Sequence, residues 1–161
     1  MKRSSAPVLV ERTLLLADNQ PDSGAVEELV GFLRDGHRLL LVAPRPKRWR
    51  PTRKAVDRDL ALQQQLHQLF TRAGTELDGV LYLAAGLFSR RSAMARELNG
   101  IARRYDRNVD DVTLIGCNSS LLDAYAKAGG PTLAVDPDPT AETRGFRSLS
   151  AALGAIDAHQ A

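Results

Sequence analysis

The chain has 161 residues, a length that fits one domain with a sizeable core. Its composition, 43% hydrophobic and 25% charged, is that of an ordinary globular protein, and no apolar run approaches membrane-spanning length. The basic N-terminus MKRSSAPVLVER lacks the apolar core and cleavage site of a secretion signal. Cys117 is the only cysteine, which excludes a disulfide framework and a cysteine-based zinc site, so we expect a cytoplasmic protein.

The net charge of +3 is unevenly distributed along the chain. Residues 45–54, RPKRWRPTRK, contain six basic residues and no acid, and we call this segment the basic loop. The rest of the chain has 16 basic and 19 acidic residues. The protein is therefore predicted to be a mildly acidic body with one basic loop.

Strands and helices are predicted to alternate from the start of the chain. Residues 1–11 are interpreted as a flexible lead, and the apolar run Thr13–Ala17 as the first strand. A helix with Ser23 as its N-cap and Gly36 as its terminator follows. Residues 38–43 then form a strand that is apolar on both faces, as the interior of a parallel sheet requires.

The middle of the chain continues this alternation beyond the basic loop. Gly79–Ala84 is predicted to be a strand between two helices. The helices are indicated by apolar residues at helical spacing, first Leu62, Leu66, Leu69, Phe70 and Ala73 and then Met94, Leu98, Ile101, Ala102 and Tyr105.

Residues 112–136, VTLIGCNSSLLDAYAKAGGPTLAVD, have the pattern of a strand–turn–helix–strand unit. Val112–Ile115 and Thr132–Val135 are the strands, and Ser119 or Asn118 caps the helix between them. Ligands of parallel sheets bind beyond the carboxyl ends of the strands, so the uncharged turn GCNSS should face a functional crevice. A last helix is predicted over residues 148–157, and no linker or internal repeat divides the chain.

This order of elements resembles the haloacid dehalogenase-like (HAD) superfamily, and within it the small heptose-bisphosphate and histidinol-phosphate phosphatases. The resemblance covers most of the chain and rests on three stretches, RDGHRLLLVAP, ELDGVLYLAAG and IARRYDRNVDDVTLIGCNSSLLDAYAKAGGPTLAVD. It implies an α/β fold, a single Rossmann-like three-layer domain over residues 1–161. Its central sheet would be mostly parallel, with about five strands, and there would be no sizeable cap domain.

Members of that family form an aspartyl-phosphate. The chemistry needs a nucleophilic carboxylate at the end of the first strand and a second acid two residues later as proton donor. It also needs Mg²⁺ held by oxygen ligands, a hydroxyl after the second strand and a lysine further on. The resemblance implies that these groups should follow the strand ends of this chain.

Most of these positions carry other residues here. Asp18 takes the nucleophile position, but Gln20 stands at the second acid, and an amide cannot donate a proton as an acid does. Ala43 stands where the hydroxyl is expected. Cys117 and Leu121 stand at the acidic positions of the metal-binding turn. The lysine position is left to either of two arginines, Arg90 or Arg91.

Several residues have two interpretations. Asp18 is either a retained ligand contact or a turn acid after a strand. Cys117 fits a small buried residue better than a nucleophile, since no histidine lies near it in the sequence. The basic loop is either a solvated loop or an anion site on the same face, where Trp49 would stack on a base or sugar or would anchor the loop.

We therefore expect a catalytically degenerate HAD-like domain, a pseudophosphatase without a cofactor, that binds a phosphorylated small molecule or an acidic protein surface. The alternative is an active or weak sugar phosphatase that uses Asp18 and Mg²⁺, and a nucleic-acid-associated module is a third interpretation. No membrane contact is expected, and the oligomeric state is left open. The candidate ligand-binding residues are Asp18, Gln20, Ala43, Arg45, Arg48, Trp49, Arg50, Arg90, Arg91, Cys117 and Asn118.

Overall fold

The computed structural model describes residues 6–18, 20–44, 53–83, 91–135, 145–146 and 148–160. The strands are β1 Pro7–Glu11, β2 Leu16–Ala17, β3 Gln20–Pro21, β4 Arg38–Pro44, β5 Gly79–Leu83, β6 Leu114–Gly116, β7 Thr132–Val135 and β8 Gly145–Phe146. The helices are α1 Ser23–Arg34, α2 Arg53–Arg72, α3 Arg91–Arg104, α4 Ser119–Lys127 and α5 Leu149–Gln160. Short 3-10 turns occupy Arg12–Leu15 and Val109–Asp111.

The main sheet has the strand order β5-β4-β1-β6-β7-β8, and each neighbouring pair is parallel. Five strands form its body, and the two-residue β8 extends one edge. Helices α1, α2 and α5 pack on one face, whereas α3 and α4 pack on the other. This confirms the predicted three-layer α/β domain. None of the helices in the described part of the chain is long and apolar enough to span a bilayer.

Strand β1 lies at the centre of the sheet, and all five of its residues are buried. Val8 and Val10 belong to the core beneath α1, α2 and α5, while Leu9 belongs to the core beneath α3 and α4. Alternate residues of a strand point to opposite faces, so a strand covered on both sides must be apolar throughout. The central position of β1 thus explains why VLV is an unbroken apolar run.

The predicted first strand, Thr13–Ala17, is wrong. Thr13, Leu14 and Leu15 lie in a 3-10 turn, and Leu16–Ala17 pairs with Gln20–Pro21 in a separate antiparallel hairpin. The real first strand comes from residues 7–11, within the segment interpreted as flexible. That strand pairs with β4 at five positions and with β6 on its other side, and this non-local pairing outweighs the longer apolar run that follows.

The starts of α1 and α2 differ in detail from the sequence interpretation, whereas the start of α4 agrees with it. Asp22, not Ser23, is the N-cap of α1, and its carboxylate accepts a hydrogen bond from the Gly24 amide at 3.1 Å. For α4 the cap is Asn118, one of the two predicted candidates. Helix α2 already begins at Arg53, so the last two residues of the basic loop are helical.

Packing after α4 requires a residue without a side chain. A Cβ on Gly130 would lie 2.2 Å from Cε1 of Tyr125 and 2.9 Å from Cδ2 of Leu98. The Tyr125 ring cannot move away easily, because it is buried and its hydroxyl donates to the Val112 carbonyl at 2.6 Å. Gly130 therefore lets the chain pass closely over the ring before β7 begins.

Replacing Gly130 with Ala should lower the free energy of unfolding by about 1–3 kcal/mol, because the added methyl group overpacks a rigid site. Gly100→Ala is the matched control: Gly100 lies in α3, and a Cβ added to it would meet nothing within 4 Å. That change should raise stability by about 0.5–1 kcal/mol through helix propensity. Urea unfolding measures both, and equal stabilisation by the two substitutions would contradict the packing argument.

Candidate functional site

The carboxyl ends of β1, β4 and β6 meet at one edge of the sheet, where parallel α/β folds bind ligands. A cavity of about 110 Å³ lies at this edge, and we call it the edge cavity. It is lined by Glu11, Thr13, Val42, Ala43, Leu83, Asn118 and Leu121. The lining therefore combines three polar side chains with four apolar ones.

Glu11, the last residue of β1, supplies the carboxylate of this cavity. The residue is only 6% exposed, and its Oε2 atom accepts hydrogen bonds from the amides of Cys117 at 2.7 Å and Asn118 at 3.0 Å. Both amides belong to the loop between β6 and α4. The N-terminus of α4 follows immediately, and its dipole favours a negative charge at this place. Burial of the carboxylate is thus offset by two charge-assisted hydrogen bonds.

Cys117 is solvent-exposed, so its interpretation as a small buried residue is wrong. Its thiol is nevertheless unreactive by ordinary criteria. Partial burial of the thiol, together with the neighbouring Glu11 carboxylate, raises the pKa of Cys117 to about 11. Because the thiolate is the nucleophilic and metal-binding form, the neutral thiol present at physiological pH is suited to neither role.

Arg12, the residue after Glu11, is buried and belongs to a partly buried cluster of polar and charged side chains. Its guanidinium makes a salt bridge with Asp59 of α2, donates to Oε1 of Gln63 at 3.3 Å and lies 5.9 Å from the ring centroid of Tyr82. The Tyr82 hydroxyl donates to Oδ2 of Asp59 at 2.9 Å. The cluster connects the 3-10 turn after β1 with α2 and β5, and it involves no residue that the sequence analysis selected.

The ionisation of this cluster follows from its contacts. Burial alone would raise the pKa of Asp59, but the hydrogen bonds from Arg12 and Tyr82 outweigh it, so the pKa lies below its ordinary value. Burial and the nearby Asp59 carboxylate raise the pKa of Tyr82. Asp59 is therefore charged and Tyr82 neutral at physiological pH, as the salt bridge and hydrogen bond require.

The structure does not bring Asp18 and Gln20 to the edge cavity. Asp18 is exposed in the turn of the β2–β3 hairpin, and its φ of 50° lies in the left-handed region that Asp tolerates better than most residues. Gln20 is exposed in the second arm of the same hairpin. Placing Asp18 at the nucleophile position was wrong, because the central strand ends at Glu11. The observed geometry matches the turn-acid interpretation.

Glu11 ends the central strand, where the resemblance implies the nucleophile, and Thr13 lies two residues later, where it implies the second acid. Of the other candidates, Ala43 and Asn118 line the edge cavity with Glu11, and Cys117 contacts the Glu11 carboxylate. Four candidates in the basic loop and one before α3 lie outside the described residues, namely Arg45, Arg48, Trp49, Arg50 and Arg90. For Arg91 the structure describes only its place at the start of α3. A ligand-binding role for these residues stays a prediction.

One sequence signal could have revealed Glu11. The run VLVE ends an apolar segment with a carboxylate, which is the pattern expected where a buried parallel strand reaches a site. The nearby run LLLA has four apolar residues against three in VLVE, and it was therefore interpreted as the strand. Arg12 gave no comparable signal, because its partner Asp59 is 47 residues away in the chain.

Searches for similar proteins find neither a matching family model nor a matching curated protein. Solved structures do match. A D,D-heptose 1,7-bisphosphate phosphatase from B. bronchiseptica, complexed with magnesium and phosphate, superposes with a TM-score of 0.70 at 16% identity, covering 95% of this chain and 98% of the other. A protein from Mesorhizobium loti described as a HAD-like phosphatase gives 0.68 at 14% identity, with coverage of 98% and 87%.

A second D,D-heptose 1,7-bisphosphate phosphatase, from Burkholderia thailandensis, gives a TM-score of 0.56 at 16% identity, with coverage of 94% and 98%. The chain therefore has a HAD-like fold. At such low identity the likeness concerns the fold, and the chemistry has to be argued from the residues at the edge cavity.

Replacing Asp59 with Asn should lower the free energy of unfolding at neutral pH by about 2–3 kcal/mol, because the Arg12 guanidinium stays largely buried without its carboxylate. Folding lowers the pKa of Asp59. The stabilisation that the charged carboxylate gives the fold is therefore fully present above the ordinary pKa of 3.8, and it is lost as the pH falls through the lowered pKa. The difference between wild type and variant should therefore shrink in acid.

Urea unfolding at neutral pH and at about pH 3 measures this difference. Tyr82→Phe is the control, because it removes one hydrogen bond to Asp59 and keeps the ion pair, and it should lower stability by only about 1 kcal/mol. A difference between wild type and Asp59→Asn that is the same at both pH values would show that the charge of Asp59 is unimportant.

Proposed function

We propose that this chain is a HAD-like domain that does not carry out the phosphatase reaction and acts by binding a phosphorylated small molecule or an acidic protein surface. The observation that carries the proposal is the state of Glu11. Among the residues that the structure describes, Glu11 is the only acid that lines the edge cavity, and its carboxylate already accepts two backbone hydrogen bonds.

The phosphatase reaction needs an acid that protonates the leaving group, and the position expected for this acid carries another residue. The residue two positions after Glu11 is Thr13, and an aliphatic hydroxyl does not protonate a leaving group at neutral pH as a carboxylic acid does. Ala43, at the end of β4, has no hydroxyl to hold a phosphate oxygen. A phosphate ester bound here would meet a carboxylate and an aliphatic wall, which is an unfavourable setting for attack on phosphorus.

The residues at the edge cavity also do not fit Mg²⁺. That ion prefers several oxygen ligands in octahedral geometry, usually including carboxylates. Here the loop after β6 presents Cys117 in place of an acid, and its thiol keeps its proton. Among the residues that the structure describes, no three His, Cys, Asp or Glu side chains are grouped so that they could hold a metal ion. No step of a reaction is therefore assigned to a metal.

Binding of an anion is supported by where the basic loop is attached. Its first residue follows Pro44 at the carboxyl end of β4, and its last residues open α2. Six cations within ten residues repel one another, and an anionic ligand would relieve that repulsion. Recognition of nucleic acid rests on this one loop alone and is the weaker possibility. The cytoplasmic location stays a prediction from the single cysteine.

Hydrolysis of sugar phosphates by the wild-type protein should stay near background with Mg²⁺ present, because the described lining of the edge cavity has no acid besides Glu11. Phosphate release from a panel that includes a heptose bisphosphate measures this. Glu11→Gln tests the carboxylate at the strand end, and Asp18→Asn is the matched control in the exposed hairpin turn. A wild-type rate well above background that Glu11→Gln abolishes would establish an active phosphatase. A rate abolished by Asp18→Asn instead would restore the alternative based on that residue.

Changing Arg48, Arg50 and Arg53 together to Ala should weaken binding of sugar phosphates or acidic peptides, with affinity that falls as salt rises in the wild type. The control changes three exposed arginines elsewhere, Arg72, Arg96 and Arg103, and so alters the net charge equally. Titration calorimetry with each ligand measures the effect. Equal binding by the two triple variants would show that the basic loop has no specific part in anion binding.

A further inference from the structure

At this edge of the sheet, hydrogen-bond donors of the loop after β6 face the Glu11 carboxylate. The loop after β6 presents two N–H groups, from Cys117 and Asn118, and both point at one carboxylate oxygen. A cation site would need the reverse arrangement, with oxygen atoms directed inward from the loop. A metal ion placed between β1 and this loop would face the positive ends of two amide dipoles and the positive end of α4.

We propose that the Glu11 carboxylate holds the loop between β6 and α4 in place, as a bound metal ion could. Because it already occupies the amides of this loop, neither Mg²⁺ nor phosphate binds at this position. The main support is geometric. Oε2 of Glu11 sits where a helix N-terminus and free amides would otherwise attract an anion. An anion supplied by the protein itself therefore already occupies the position.

The absence of a side chain at Gly116 leaves room for the Glu11 carboxylate. A Cβ on Gly116 would lie 2.9 Å from Oε2 of Glu11 and 3.4 Å from Cδ2 of Leu122. Since Oε2 is held by two hydrogen bonds, it could not yield without losing at least one of them. The backbone of the loop approaches the carboxylate so closely that only glycine leaves the contact undisturbed.

The internal contact restricts how this face can bind ligands. A phosphate group cannot use the amides before α4 while Glu11 accepts from them, so any anion bound here must be held by other cations. The contact itself is independent of the proposed ligand, because it exists whether or not the basic loop binds anything.

The test compares melting temperatures of wild type, Glu11→Ala and an exposed-acid control, Glu28→Ala, with Mg²⁺, with formate and with neither, at matched ionic strength. Glu11→Ala should melt about 5–10 °C lower than wild type, since two amides lose a charged acceptor. Formate should recover part of this loss in a concentration-dependent way, because a small carboxylate can accept from the same amides. Neither Mg²⁺ nor formate should shift the wild type or the control.

Two results would overturn the inference: a rise in the wild-type melting temperature with Mg²⁺ concentration, or a Glu11→Ala variant that formate does not stabilise. If Glu11→Ala does not fold, Gly116→Ala replaces it. That variant should melt lower than wild type while Gly100→Ala does not, and equal melting would count against the contact. Phosphate release by the wild type that persists in Glu11→Gln would refute the proposed function alone, whereas release that Glu11→Gln abolishes would refute both, so the two failures are distinguishable.

Discussion

The contact between the Glu11 carboxylate and the amides of Cys117 and Asn118 is the constraint on which the functional edge of this fold depends. A carboxylate that is only 6% exposed would be strongly unfavourable without compensation, and the two N–H groups together with the start of α4 supply it. In the sheet itself, β1 and β6 are paired at only two positions. The side-chain contact therefore extends the link between these strands beyond the ladder and fixes the loop that follows.

The salt bridge between Arg12 and Asp59 is the second contact that holds the end of β1 in place. Glu11 and Arg12 are adjacent in sequence and both are 6% exposed, yet one bonds to the loop before α4 and the other to Asp59 of α2. Both charges at the end of the central strand are thus engaged within the protein. The binding proposed for this edge would therefore have to rely on groups other than these two side chains.

The fold and the chemistry of this protein are separable. Phosphatases with 14–16% identity share its scaffold, because the scaffold depends on buried apolar strands and on the helices that cover them. Such packing tolerates many sequences of the right polarity and volume. Catalysis depends instead on a few groups at the strand ends, and the proposed function rests on the side chains of Thr13, Ala43 and Cys117 at these positions. A shared scaffold is compatible with a function based on binding alone.

The sequence alone determined the elements with a regular apolar period. Helix α4, strand β7 and strand β4 were all predictable, because their patterns are local, although the choice of Asn118 over Ser119 as the cap of α4 was not. Topology also implied that the turn around Cys117 would lie at the functional edge. The tertiary structure decided which of two neighbouring apolar runs is the central strand, because that choice depends on pairing with β4 and β6, far away in the chain. It also decided that Glu11 rather than Asp18 ends this strand, and that Arg12 meets Asp59. Long-range contacts of this kind leave no periodic trace in the sequence, since each partner looks like an ordinary charged residue until the fold brings the two together.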